Sequence, residues 1–237
     1  MRNTHRNRVD CSIILPCLNE AGTISACIQQ ARKALATLHT KGEVIVADNG
    51  SLDGSDRLAV SAGARVVRIS RKGYGAAIRG GTKRSTGRWI IVADADGTYG
   101  FNKLPEFLHA LQNGYDLVQG SRLKGDMAPG AMPWSHRYIG TPFFNLLLWL
   151  VYGMRVTDSQ SGMRAFSRHA YDRMRLKSIG MEINTEILIR ASRLGLKYKE
   201  VAIGYRPALP GRRSHLRTLT DGWRNLKLIL LGIRPGR

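Results

Sequence analysis

Short apolar runs alternate with amphipathic stretches through the first hundred residues of the chain. Four short segments in which apolar residues predominate predict strands, at residues 11–15, 43–47, 65–69 and 89–93. The stretches between them predict helices at 20–38, 53–62 and 76–85, because apolar residues recur there at a helical spacing. Strands with little alternation that are joined by helices are typical of parallel sheets covered on both faces. The pattern therefore predicts an α/β fold with a mostly parallel central sheet flanked by helices.

The second half of the chain is less regular. It predicts helices at 104–111, near Tyr171 and at 183–194, strands at 116–119 and 198–203, and a Gly-, Met- and Pro-rich loop at 124–133. Between Arg137 and Arg155 lie 17 uncharged residues, which predict a buried or interfacial helix because Pro142, Asn145 and Gly153 interrupt a run already short for a membrane span. We predict a basic tail at 1–10, one domain at 11–215, and a basic, partly apolar helix at 216–237.

Charge and cysteine content narrow the class of protein. Lys and Arg total 37 against 17 acidic residues, a net charge of +20, which favours an anionic partner such as phosphates, nucleic acid or an anionic membrane surface. The three cysteines, Cys11, Cys17 and Cys27, lack the spacing of a zinc site, and their odd number argues against a disulfide framework. We expect them to be small core residues in a reducing compartment.

Polar segments follow each of the first four predicted strands, at 16–20, 48–55, 70–75 and 94–96. Because ligands of parallel sheets collect at the carboxyl ends of the strands, we expect these segments to form one binding crevice. Asp94-Ala95-Asp96 brings together two carboxylates that repel each other. Mg²⁺ or Mn²⁺ bridging them to a diphosphate would relieve that repulsion, although an isolated pair of this kind is more often a solvated turn. The glycines fit neither a dinucleotide site nor a P-loop.

The same segments resemble a known family. PCLNE at 16–20, DNGSLDGS at 48–55, RKGYGAAIRGG at 71–81 and DADGTY at 94–99 resemble the successive motifs of family 2 glycosyltransferases. DSQSGMRAF at 158–166 and the segment 205–227 resemble later motifs of the dolichyl-phosphate mannose synthase branch and its bacterial relatives, which act on polyprenyl phosphates. The resemblance implies a single GT-A-type nucleotide-sugar-binding domain.

The resemblance also implies roles for individual residues. Those that would bind a UDP- or GDP-sugar donor are Pro16, Leu18, Glu20, Asp48, Lys72, Gly73, Asp94 and Ala95. Asp94 and Asp96 would hold Mg²⁺ or Mn²⁺, and Asp96 and Arg122 would be catalytic. Those near the acceptor or its phosphate would be Ser161, Arg164, Arg212 and Arg213.

The function implied is inverting transfer of a sugar to a polyprenyl phosphate by a protein peripheral on the cytoplasmic face of the membrane. A lipid phosphate is already an anion at pH 7 and needs no strong general base. The alternative is a soluble transferase acting on a small-molecule or polysaccharide hydroxyl, where Asp158, Glu182 or Glu186 would be the base, although each is more readily structural. A nucleic-acid-binding protein is a distant alternative, and we expect no nucleic acid partner because no RRM-like, zinc-finger or basic-zipper pattern is present.

Overall fold

The computed structural model of the protein describes residues 9–209 and 218–232. The strands of this part of the chain are β1 (Cys11–Cys17), β2 (Gly42–Asp48), β3 (Arg65–Arg68), β4 (Trp89–Val92), β5 (Leu117–Ser121), β6 (Arg164–Ser167) and β7 (Tyr198–Ala202). The helices are α1 (Ile24–Thr37), α2 (Ser55–Ser61), α3 (Tyr74–Lys83), α4 (Leu104–Gln112), α5 (Thr141–Tyr152), α6 (Arg168–Met174), α7 (Ile183–Arg193) and α8 (Thr218–Leu231).

The strands form one sheet in the order β3-β2-β1-β4-β6-β5-β7. Neighbours pair in parallel except around β6, which runs antiparallel to both β4 and β5. The prediction of a mostly parallel α/β sheet is therefore confirmed. The first four strands end at the same edge of the sheet, and this edge carries the four polar segments that the sequence singled out.

Strand β6 was not predicted. It places Arg164 opposite Val92 of β4 and Gln119 of β5, both far away along the chain. Its four residues, Arg-Ala-Phe-Ser, are too short and too mixed to show a strand pattern. The pairing is therefore a product of the assembled sheet, and it inserts one reversed strand beside the end of β4.

The sheet carries a hydrophobic cluster on each face, because neighbouring side chains of a strand point to opposite sides. Ile13 packs in the cluster that includes residues of α1 and α4, whereas Ile14 packs in the cluster that includes residues of α3, α5 and α7. The three cysteines are free and buried, as predicted. Burial raises the pKa of the Cys11 thiol to about 12, so this group is a neutral core residue.

The long uncharged stretch forms two pieces. A π-helical turn covers His136–Gly140, and α5 then ends at Gly153, whose φ of 65° terminates the helix. None of the helices in residues 9–209 and 218–232 is long and apolar enough to cross a membrane. Helix α8 lies within the predicted C-terminal helix at 216–237, while the boundary of the domain at 215 falls outside the described residues and stays a prediction.

Candidate active site

The segments after β1 and β2 are joined by hydrogen bonds between side chains and backbone. The Asn19 backbone N–H donates to Ser51 Oγ at 2.9 Å, and the Leu52 N–H donates to Asn19 Oδ1 at 2.8 Å. The Glu20 N–H donates to Ser55 Oγ at 2.9 Å. Asn19 adopts a positive φ of 55°, which asparagine tolerates better than most residues. These bonds hold the first segment, with half-buried Leu18 and buried Glu20, against the second.

Two residues at the strand ends determine the shape of this edge. Pro16 lies inside β1, but β4 pairs with β1 only as far as Ile14, so no ladder bond from β4 is lost at the proline. Asp48 ends β2 and is buried, and its carboxylate accepts hydrogen bonds from the N–H groups of Gly50 at 3.2 Å and Ser51 at 3.1 Å. The predicted contacts of Pro16 and Asp48 with the donor stay predictions.

Asn49, which the sequence analysis did not single out, connects the second segment to the third. Its Nδ2 donates to the Arg71 carbonyl oxygen at 2.8 Å, and its Oδ1 accepts from the Gly73 N–H at 2.7 Å. The Lys72 Nζ donates to the Asn49 carbonyl oxygen at 2.7 Å. Lys72 is thus folded back over the second segment, where it carries positive charge to the edge of the crevice.

Gly73 precedes α3 in a conformation that only glycine adopts easily, with φ at 127°. A Cβ at this position would lie 2.2 Å from the carbonyl oxygen of Ile179. The Ala76 N–H donates to the same oxygen at 3.0 Å. The absence of a side chain at Gly73 therefore allows the segment before α7 to pack against the beginning of α3.

The two aspartates after β4 are held by hydroxyl groups. The Tyr74 hydroxyl donates to Asp94 Oδ1 at 2.7 Å, and the Thr98 N–H and Oγ1 donate to Asp96 Oδ1 at 3.0 and 2.6 Å. Burial and the Asp94 carboxylate raise the pKa of Tyr74 well above its ordinary value, which keeps it a hydrogen-bond donor at neutral pH. Ala95 stands between the two aspartates, and its side chain is buried in the core. Its carbonyl oxygen accepts from Thr23 Oγ1 at 2.7 Å.

The Asp94 carboxylate also lies against Gly162. A Cβ on Gly162 would be 2.1 Å from Asp94 Oδ2, so glycine is required there for the carboxylate to keep its position. The Gly162 N–H donates to the hydroxyl oxygen of Tyr99 at 3.0 Å. The DSQSG segment, predicted to lie near the acceptor, is therefore in contact with the predicted metal-binding pair.

Arg122, predicted to be catalytic, is buried and paired with Asp158. Its Nε donates to Asp158 Oδ2 at 2.7 Å and its Nη2 donates to Asp158 Oδ1 at 2.8 Å. Burial disfavours its charge, but nearby tyrosine hydroxyls and the Asp158 carboxylate outweigh that and hold the pKa of Arg122 well above its ordinary value. The guanidinium also lies 5.0 Å from the centre of the Tyr205 ring. Its contact with the donor stays a prediction.

Arg164 and Ser161, predicted to lie near the acceptor, are both buried. Arg164 donates to Gln119 Oε1 at 2.6 Å, to Asn184 Oδ1 at 2.6 Å and to the Ser159 carbonyl oxygen at 2.9 Å. Burial lowers its pKa to about 10. These bonds give Arg164 a place inside the protein that supports the DSQSG segment.

Ser161 differs from its neighbours because its Oγ is buried and makes no hydrogen bond to the described residues. Glu182, at the beginning of α7, also has one buried carboxylate oxygen, Oε2, without a hydrogen bond there. Arg212 and Arg213 lie outside the described residues.

The structure adds aromatic residues that the sequence analysis did not place in the site. Tyr74, Tyr99 and Tyr205 lie at or beside the aspartate pair, and the rings of Tyr99 and Tyr205 are 5.2 Å apart. Burial and the charge of Arg122 lower the pKa of His136. All three tyrosines could have been found, because each stands inside a segment that carried the resemblance.

The fold and the strand-end carboxylates define an α/β domain with a mostly parallel sheet and two acidic side chains at the edge where the strands end. Residues 12–175 match the family described as glycosyl transferase family 2. The chain therefore belongs to that family, as the motifs predicted.

Relatives from Haloferax volcanii support the assignment. Low-salt glycan biosynthesis hexosyltransferase Agl6 is 39% identical over 226 residues, which cover 95% of this chain and 54% of Agl6. The chain thus spans about half the length of that relative. A dolichyl-phosphate hexose transferase from the same organism is 34% identical over 168 residues, covering 70% of this chain and 71% of the relative.

Solved structures confirm the predicted GT-A fold. Glucosyl-3-phosphoglycerate synthase from Mycobacterium tuberculosis, in complex with Mn²⁺, UDP and glucosyl-3-phosphoglycerate, aligns with a TM-score of 0.72 at 24% identity, covering 94% of this chain and 79% of that one. The same enzyme has also been solved with Mg²⁺ and UDP, and with Mn²⁺, UDP-glucose and phosphoglyceric acid. Those complexes contain the two metals that the sequence predicted here.

Proposed function

We propose that the protein transfers a hexose from a UDP- or GDP-sugar to a polyprenyl phosphate at an anionic membrane surface, with inversion at the anomeric carbon. The observation that carries the proposal is the aspartate pair at the end of β4. Asp94 is held by the Tyr74 hydroxyl and Asp96 by Thr98, so both carboxylates are oriented before any ligand arrives. Carboxylates oriented in advance would hold a divalent cation in place, and positive charge placed in advance is what a leaving diphosphate requires.

The pair suits Mg²⁺ or Mn²⁺, because both ions prefer carboxylate and phosphate oxygens. Within the described residues no group of three or more His, Cys, Asp or Glu side chains gathers, so diphosphate oxygens and water would complete the coordination of an ion held by Asp94 and Asp96. Gly162 leaves the space that the Asp94 carboxylate occupies. When bound there, the ion supplies positive charge that stabilises the diphosphate as it leaves.

Besides the ion, the transfer needs further positive charge at the crevice and a nucleophile. Lys72 brings a further positive charge to the crevice beside Asn49. One oxygen of the acceptor phosphate attacks the anomeric carbon, the carbon–oxygen bond to the donor diphosphate breaks, and the nucleoside diphosphate departs with the electron pair. Because the acceptor is already ionised, no proton has to be removed. A single displacement of this kind inverts the anomeric configuration.

Helix α5 supports the membrane part of the proposal. Its apolar side chains Phe143, Leu146, Trp149, Leu150 and Val151 are between 46% and 64% exposed. The Arg155 guanidinium lies 5.8 Å from the Trp149 ring centre, and Arg137 lies 5.3 Å from that of Tyr138. Apolar side chains bordered by arginines are typical of helices that lie in the interface of an anionic membrane. With 12 residues, α5 is about 18 Å long and suits a position along the surface.

Helix α8 extends the same surface. The Tyr152 hydroxyl at the end of α5 donates to the Ile229 carbonyl oxygen at 2.9 Å. Trp223, Leu230 and Leu231 of α8 are each more than half exposed. The two helices together offer more apolar area to a membrane than either offers alone, and the dolichyl-phosphate hexose transferase relative agrees with a lipid phosphate acceptor.

A soluble acceptor is the second candidate, since a structural neighbour has been solved with UDP-glucose and phosphoglyceric acid. If that acceptor reacts through a hydroxyl, a base is needed. Asp158 is paired with Arg122, and Glu186 accepts from the N–H groups of Lys177 and Ser178. Glu182, with its buried Oε2, is then the best placed of the three carboxylates that the sequence suggested.

The test compares acceptors and donors in one assay with Mn²⁺. We expect transfer from a UDP- or GDP-hexose to a polyprenyl phosphate in phosphatidylglycerol vesicles, and a β-linked product from an α-linked donor by NMR. Transfer only to 3-phosphoglycerate or another soluble acceptor would replace the first candidate with the second.

A pair of double variants tests the membrane surface. Phe143→Ser with Leu150→Ser should reduce retention on phosphatidylglycerol vesicles and transfer to the lipid acceptor. Leu58→Ser with Val60→Ser removes exposed apolar side chains from α2 and should change neither. Equal retention of both variants would contradict docking through α5.

A further inference from the structure

A second concave site lies between α3, the edge strand β3 and α6. Its volume is about 640 Å³, and neither Asp94 nor Asp96 lines it. Its basic lining residues are Arg68, Arg71, Arg79, Lys83, Arg84, Arg168 and Arg175. Asp172 is the single acidic residue among those that line it. Seven cations against one carboxylate far exceed the ratio of the whole chain, which is 37 to 17. We call this site the α3 groove.

Two of the arginines are fixed in place. Arg168 donates to the Gly87 carbonyl oxygen through Nε and Nη2, at 3.1 and 2.9 Å, and to Ser85 Oγ at 2.7 Å. Arg79 Nη1 donates to the Lys177 carbonyl oxygen at 2.7 Å. Carbonyl and hydroxyl oxygens orient a guanidinium without cancelling its charge. The α3 groove therefore has positive charge whose position is set before a ligand binds.

The remaining cations are largely without counter-charge. The side chains of Arg71, Lys83, Arg84 and Arg175 make no hydrogen bond or ion pair to residues 9–209 and 218–232, and all four are exposed. Arg68 pairs with Asp56, which lies outside the groove lining. Like charges gathered in a concavity reinforce one another's potential and attract anions.

The shape and lining of the groove indicate the kind of anion. The volume falls in the range of small-molecule sites. Tyr171 is the single aromatic residue among the lining residues, and its ring packs edge-on against Phe166 at 5.6 Å between centres. The groove therefore lacks the stacking faces that single-stranded nucleic acids use. Guanidinium groups bind phosphate oxygens through paired hydrogen bonds.

We propose that the α3 groove binds a molecule that carries several phosphate groups, at a site that shares Ser70 and Arg71 with the predicted crevice but contains none of the residues predicted to bind the donor. The proposal does not depend on the transfer reaction, because none of the residues predicted to bind metal or acceptor lines the groove. Free oligophosphates and phosphate-bearing lipid headgroups share the recognised chemistry, so the experiment distinguishes the two sources.

The test is calorimetric titration of the full chain with inorganic triphosphate in EDTA, where metal-dependent binding at Asp94 and Asp96 is suppressed. We expect binding that weakens by about tenfold or more in Lys83→Gln with Arg84→Gln, because charge-assisted contacts are lost. The matched control is Lys33→Gln with Lys197→Gln, which removes the same charge from exposed positions outside the groove. The control should bind triphosphate nearly as the parent does.

Each further outcome bears on the proposal. Equal weakening in the two double variants, or no binding by the parent, would overturn it. Retention on phosphatidylglycerol vesicles that falls in the groove variant but not in the control would support the lipid source, and unchanged retention with lost triphosphate binding would support the free one. Groove-dependent binding of duplex DNA that triphosphate fails to displace would overturn the proposal in favour of nucleic acid.

Discussion

The two halves of the sheet place their charged residues in opposite ways. On the β1–β4 side, Asp94 and Asp96 stand at the sheet edge and are held by hydroxyl and backbone groups. On the β5–β7 side, Arg122, Asp158 and Arg164 are buried and paired with other protein groups. The first arrangement orients two carboxylates at the sheet edge, whereas the second joins charged side chains to one another and to neutral groups inside the protein. The comparison teaches that charged residues in the motifs of one family can have different roles: some are placed where a ligand could bind, and others hold the protein together.

The largest effect should come from breaking the buried pair. Asp158→Asn leaves Arg122 without its counter-ion in a buried place, so we expect the free energy of unfolding to fall by about 3–5 kcal/mol. Urea denaturation measures this. Glu106→Gln disrupts the exposed pair with Lys103 and should cost less than about 1 kcal/mol. A loss in Asp158→Asn no larger than that of Glu106→Gln would contradict the structural role.

At the sheet edge we expect a substitution to lower activity and to leave stability nearly unchanged. Asp96→Asn should lower turnover with Mn²⁺ by about a hundredfold or more, because the ion whose positive charge balances the leaving diphosphate loses a carboxylate ligand. Its melting temperature should stay near that of the parent, since Asp96 is only partly buried. Full activity of Asp96→Asn, or activity undiminished in excess EDTA, would refute the metal-dependent role.

A smaller effect should follow from loosening the aspartate pair. Tyr74→Phe removes the hydroxyl that donates to Asp94, and we expect Mn²⁺ affinity in the presence of UDP to fall by about tenfold, as is usual for groups that orient metal ligands. Calorimetry measures the affinity. The control is Tyr171→Phe, which removes a tyrosine hydroxyl from α6 and should leave the Mn²⁺ affinity unchanged. An equal change of affinity in both variants would argue against positioning of Asp94 by Tyr74.

The smallest effect concerns the thiols beneath the donor side. Burial raises the pKa of Cys17 and of Cys27 to about 11, so at pH 8 only about one thiol in a thousand is ionised. Iodoacetamide at pH 8 should therefore leave the folded protein unmodified and label all three cysteines in urea, as read by mass spectrometry. Rapid labelling of the folded chain would show that the loops above β1 open.

The sequence predicted the β1–β4 half of the fold well and the β5–β7 half incompletely. Local periodicity was sufficient for β1 to β4 and their helices, because apolar residues dominate β1, β2 and β4, and Val66 and Val67 form the centre of β3. Strand β6 was not predicted, because Arg164–Ser167 becomes a strand only through its pairing with β4 and β5. Helix α1 begins at Ile24 rather than near residue 20, because residues before it bond to the segment after β2.

Among the site residues too, those set by local sequence were predictable, and those that depend on distant segments were not. The aspartate pair was visible from its motif, since both carboxylates follow one strand. The partner of Arg122 was not, because Asp158 lies 36 positions further along the chain. Asn49 was overlooked although it stands inside DNGSLDGS, because its bonds to the third segment depend on how two loops meet.

The close approach of Gly162 to the Asp94 carboxylate has a thermodynamic consequence. The two groups are so near that a shift of one displaces the other, and they belong to the segments predicted to bind metal and acceptor, respectively. If metal binding favours one arrangement of the DSQSG segment, the two binding free energies are coupled. The acceptor then changes the affinity for metal by the same factor as the metal changes the affinity for acceptor. The contact at this single glycine would thus couple the saturation curves of the two ligands.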